Sequence, residues 1–148
     1  MTSAWARADA GQSLVEMALM MPMLLLLLIG TIDAGIAVNS YVTVTNASRE
    51  ATQYAIQHPT AAPAAIASAA VARSAPLQEA SITVTTSYHN GATFVPWPAG
   101  GLPSGNPSAT YVPVRVEVAY PWSASTILVG RFVQAVTFRG VSTMEALW

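Results

Sequence analysis

The chain has 148 residues, is 53% hydrophobic and only 9% charged, and carries a formal net charge of −1. One modest folded domain fits beside a membrane segment in that length, and the charge content lies far below the roughly 25% of an average soluble domain. No lysine is present, which excludes Walker-type phosphate loops and Schiff-base chemistry; no cysteine excludes thiolate nucleophiles and thiolate metal sites; six scattered arginines give nucleic acid no basic patch.

Residues 1–10 form a short polar lead with Arg7 and Asp9 as its charges. The apolar run at 17–32 follows, sixteen residues without a charge, and flanking apolar residues extend it on both sides. At about 1.5 Å per residue, a helix of this length crosses a hydrocarbon core of about 30 Å. Arg7 precedes the run and no basic residue follows before Arg49, which favours a cytoplasmic amino end. A secretory signal is the competing reading, with Gly35-Ile36-Ala37 as its small-x-small cleavage site. Glu16, at the mouth of the apolar core, weighs against it.

An unpaired carboxylate within a bilayer helix costs on the order of 3 kcal/mol, so Glu16 wants a partner. Cutting the chain between Gly11 and Gln12 would place a new α-ammonium one turn away, at i and i+4 on the same face. Alternatively, Glu16 reaches the headgroups from the helix end. Pro22 lies inside the run, removes a helical hydrogen bond and is expected to kink the helix, a change that neighbouring membrane helices can accommodate. Asp33 is expected to mark the outer membrane boundary, or else to pair with another subunit's helix.

The string Gly11-Gln12-Ser13-Leu14-Val15-Glu16, a glycine, four residues and a glutamate, resembles the type IV prepilin processing motif. Val15 to Pro22, the leucines at 24–28, Gly30, Asp33 and Gly35 resemble the TadE-like pseudopilins of the tight-adherence branch of type IV pilus systems, and residues 41–55 are similar to that family's continuation. The resemblance implies insertion in the cytoplasmic (inner) membrane and cleavage after Gly11 by a prepilin peptidase. It further implies Gln12 as the new amino terminus and Glu16 as its charge partner in assembly. Other pilins and pseudopilins and the membrane assembly machinery are the implied partners. Major pilins of this branch are very short and carry tyrosine after the glutamate. Met17 and the sizeable domain here point to a minor subunit.

The helical pattern is predicted to run unbroken from Gln12 to His58-Pro59. In its outer half, Val44, Ala47, Ala51, Tyr54 and Ala55 share one face, and Asn46, Arg49, Glu50, Gln53 and Gln57 share the other. Residues 63–74 read as a short alanine-rich helix, started by Pro63 and stopped by Pro76, with a low-complexity linker as the alternative. Three strands follow. Residues 82–88 alternate. The clearest alternation sets Val112, Val114, Val116, Val118 and Tyr120 against Pro113, Arg115, Glu117 and Ala119. Pro113 favours an edge position or the start of the ladder. The third run, 132–139, is interrupted by Gln134. Between the first two strands, 89–110 holds four glycines and four prolines and is read as a loop without regular structure. Phe94 and Trp97 within it are candidates for partner contact, although packing on the sheet is the favoured reading. The tail at 144–148 carries no assignable pattern.

The predicted architecture is therefore α+β: a long N-terminal membrane-spanning helix whose amphipathic half packs on a small antiparallel sheet, a pilin-like lollipop. Its parts are a leader at 1–11, a membrane helix at 12–38 and an extracytoplasmic domain at 39–148. Within that domain lie the amphipathic helix (39–58), the short helix (63–74) and the sheet region (81–143). His58 reads as a helix cap and His89 as a turn residue, so no catalytic, cofactor or metal constellation is expected. The expected role is structural, in pilus assembly. The competing reading is an uncleaved single-pass protein displaying a binding or adhesin domain, with recognition carried by 89–110.

Overall fold

The computed structural model describes the backbone of residues 5–103, 111–126, 130–131 and 133–147, with side chains from residue 11 onward. Helix α1 runs Trp5–Gln57, 53 residues or about 80 Å. It therefore begins seven residues ahead of the expected start at Gln12, so Gly11 lies inside it. Leucine, methionine and alanine favour this conformation. The helix hydroxyls are spent locally: Thr31 donates to the Leu27 carbonyl at 2.8 Å, Ser40 to Ile36 at 2.9 Å and Thr52 to Ser48 at 2.7 Å. At the far end, the His58 amide donates to the Tyr54 carbonyl at 2.9 Å while its ring stacks on Tyr54. Pro59 then prevents continuation.

Residues 11–28 of α1 are exposed throughout. Among the described residues, α1 is the one helix long and apolar enough to cross a membrane. Its outer half is different. Val44, Ala47, Ser48, Ala51, Thr52 and Ala55 are fully buried along one face, while Asn46, Arg49, Glu50, Gln53 and Gln57 stay exposed. Helix α2, Pro63–Ala72, packs on α1 through Ile66 and Ala70, both fully buried. Arg73 lies 3.9 Å from Glu50, an exposed ion pair that adds little.

Four strands, not three, make the sheet: β1 (Thr83–His89), β2 (Phe94–Pro96), β3 (Tyr111–Trp122) and β4 (Val136–Leu147), in the order β2-β1-β3-β4 and all antiparallel. Val112, Val114, Val116 and Val118 are buried on the helix-facing side of β3. Burying each is worth about 1.5–3 kcal/mol as an upper estimate. Pairing of β1 with β3 ends at Tyr88 opposite Val114, so Pro113 lies just past the end of that ladder.

The departures from expectation have physical causes. The stretch at 89–110 contains β2, reversed onto β1 by a turn in which the Asn90 side chain accepts the Ala92 and Thr93 amides at 3.0 and 2.9 Å. Trp97 is buried, and its indole donates to the Ala61 carbonyl at 2.9 Å. Gly101, at φ +86°, presses so close to Thr60 that a Cβ would fall 2.4 Å from its Cα. The third strand is displaced: it begins at Val136 and absorbs the unassigned tail as far as Leu147, while Phe132 and Trp148 lie outside the described residues. The buried positions of β4 are Gly140, Ser142 and Ala146. They are small because α1 crosses directly beneath them, and small residues give no apolar alternation to read.

A Cβ on Gly140 would meet the Val44 carbonyl oxygen at 2.6 Å. Gly140→Ala should therefore destabilise the domain by about 2 kcal/mol through overpacking, seen as a lower Tm in circular dichroism. Gly100→Ala, with open space around it, should leave Tm unchanged.

Candidate assembly interface

The residues singled out by the sequence are strung along α1 at separate depths, not gathered into one site. Gly11, Gln12, Val15, Glu16 and Leu19 line one shallow face near the start of the helix. Gln12 and Glu16 are four residues apart on continuous helix, the spacing that lets their substituents meet. Gly11 is exposed, with nothing within 4 Å of a would-be Cβ, and Glu16 takes part in neither of the ion pairs found among the described residues. Around them Leu14, Val15, Met17, Leu19 and Met20 are all more than half exposed. A carboxylate standing alone on a lipid-soluble surface is a strong demand for a cation.

Pro22 falls one turn further on, inside the helix, where it supplies no amide to the Ala18 carbonyl. Beside it Leu25, Leu26 and Ile29 form a shallow apolar hollow. Such hollows are where a neighbouring helix can insert a side chain.

Asp33 behaves differently from a simple boundary marker. It is buried, at 3% exposure, and its Oδ2 accepts a hydrogen bond from the Thr126 hydroxyl in the connection between β3 and β4. The Thr126 carbonyl in turn accepts the Gly130 amide at 2.8 Å. The carboxylate thus finds its partner inside the chain, ninety-three residues away in sequence. Thr126 was missed by sequence reasoning, and no local pattern could have found it.

The histidines are structural. His58 Nδ1 lies 3.1 Å from the Tyr54 carbonyl, and His89 accepts the Gly91 amide at 3.2 Å while meeting Phe94 edge-on. The Arg115 guanidinium lies 3.7 Å over the other aromatic surface of that hairpin, the Phe94 ring. Among the described residues, no three of histidine, aspartate and glutamate converge as metal ligands.

The model of the TadE-like protein family matches residues 11–53. This segment is similar to the TadE-like family. The match opens on Gly11, takes in Glu16, Pro22 and Asp33, and closes near the end of α1, so the likeness is carried by the helix and not by α2 or the sheet. The likeness suggests a Tad pilus-related membrane protein, in keeping with the one helix among the described residues that is long and apolar enough to span a bilayer. No curated protein and no solved structure matches the chain.

Removing the Thr126 hydroxyl leaves a buried carboxylate without its donor. Thr126→Val should cost about 2 kcal/mol and speed trypsin cleavage after Arg131, which is exposed. In an Asp33→Ala background the same substitution should cost little. Additive effects in that double-mutant cycle would show that the two side chains do not communicate.

Proposed function

We propose that the chain is a minor pseudopilin of a tight-adherence type IV pilus. In this reading a prepilin peptidase hydrolyses the Gly11–Gln12 peptide bond, and α1 packs with the helices of other pilins and pseudopilins at the assembly machinery. The observation that carries it is the match to the TadE-like family that begins on Gly11, together with an exposed Glu16 one turn from Gln12.

Hydrolysis leaves the carboxylate on Gly11 and an α-ammonium on Gln12. That cation stands at i relative to Glu16 at i+4, so it can neutralise the acid within the subunit or on a neighbour. The pair removes the insertion penalty that an isolated Glu16 carries. Because Gly11 lies in continuous helix, the bond must unwind before a peptidase can read it. Gly11 makes that opening inexpensive, as a helix-weakening residue with no tertiary neighbours.

The amino end would lie in the cytoplasm and the sheet domain outside the inner membrane, in keeping with Arg7 ahead of the apolar run. The role is structural: the domain caps, initiates or regulates a filament, and the chain carries out no catalysis of its own. Trp97 and β2 are built into the domain, so the display of 89–110 as a recognition loop is the weaker reading.

Intact mass and N-terminal peptide mapping of the protein from its native membrane should give a start at Gln12. A start at Met1 would instead mean an uncleaved anchor. Glu16→Ala, as the only copy, should insert normally and lower pilus number; undiminished piliation would remove the assembly role from Glu16.

A further inference from the structure

We propose that the membrane-facing end of the domain holds one glycerophospholipid, its acyl chain against α1 and its headgroup in a polar cup above. The proposal rests on the reading of α1 as a membrane-spanning helix. Two hollows meet at this place. The lower, about 210 Å³, is walled by Ile29, Ile32 and Ile36 of α1 and by Ser125 and Thr126. The upper, about 300 Å³, is lined with Asn39, Gln78, Ser81 and Ser123 among others. Ile36 and Ser125 line both, so the two hollows adjoin and are taken together as one groove.

Polarity along this groove follows the bilayer. Ile32 is the last residue of the uncharged run. Ile36 lies about 6 Å further along the helix and Asn39 about 10 Å. A headgroup layer is about 5–7 Å deep on each side of the hydrocarbon core. Ile29 and Ile32 thus stand at the depth of the acyl chains, Ile36 at the depth of the headgroup, and Asn39 at its outer edge.

Among the described residues, no lysine, arginine or histidine lines either hollow. A free soluble anion would therefore find hydrogen-bond donors but no counter-charge. A phospholipid does not need one, because its chain supplies affinity at about 0.8 kcal/mol per buried CH₂. The single acid in the lower wall, Asp33, is already occupied by Thr126. That contact holds the far wall of the groove against α1, so the domain is seated on the helix through a lipid as well as through protein.

The test uses the full chain, purified in detergent, reconstituted in nanodiscs of dioleoyl-phosphatidylethanolamine and released for native mass spectrometry. Wild type should retain one lipid at collision energies that strip the remainder. Ser81→Phe, which fills the cup, should lose it. Gln78→Ala removes a cup amide from an exposed side chain, leaves the fold intact and should lower the retained fraction. Equal retention by wild type and both variants would mean lipid bound only around the bare helix, and would overturn the proposal. A retained second copy of the chain with no lipid would overturn it too. Recovery of the chain in the soluble fraction of washed membranes would instead defeat the membrane-spanning reading itself, which separates the two failures.

Discussion

Where β4 crosses α1, the two backbones come too close for a side chain between them. Gly140 lies against the Val44 carbonyl with no room for a Cβ between them. The rest of the domain depends on that contact. It sets the depth at which the sheet sits on the helix and brings the β3 valines down onto Ala47, Ala51 and Ala55. It also places Tyr41 edge-on to Phe138, with centroids 6.0 Å apart, and Phe138 in turn against Trp122. Small residues on both elements make such proximity possible. The dispersion gained by close packing replaces what larger side chains would have supplied.

The same helix meets two solvents along its length. Its first half exposes leucine and methionine on every side, as a segment in lipid must. Its second half buries a stripe of alanine, serine, threonine and valine under the sheet and shows polar residues to water. The family match runs across this boundary without interruption. The matched segment is therefore one continuous rod, and the domain is held to its outer half by packing and by the Thr126–Asp33 hydrogen bond.

Asp33 sits at the junction of the two halves. A carboxylate there would be costly in hydrocarbon and weakly held in water. The structure resolves the conflict by folding the connection between β3 and β4 back to the helix, where Thr126 supplies a hydroxyl. Glu16, by contrast, has no such internal answer among the described residues. The chain thus treats its two helix acids differently: one is satisfied within the chain, and the other is the acid for which the proposed function supplies an amine.

Much of this was legible in the sequence, because local chemistry carried it. The uncharged run, the glycine-to-glutamate spacing, the buried stripe at Val44, Ala47, Ala51 and Ala55, and the alternation at Val112 to Val118 are all periodic or compositional features of contiguous residues. They gave the α+β class, the membrane-length helix and the central strand. What only tertiary structure decided lies where that local signal is silent. β2 is three residues long and exists because Asn90 turns it back onto β1. β4 could not be bounded because the helix beneath it demands Gly140 and Ser142 where an apolar alternation would otherwise show. Ser48 and Thr52 read as polar, yet they are buried, since each returns its hydroxyl to its own helix. The partner of Asp33 is set by where a distant loop lands. Periodicity records what a residue's neighbours in the chain require of it; close approach and long-range pairing are decided by residues it meets only after folding.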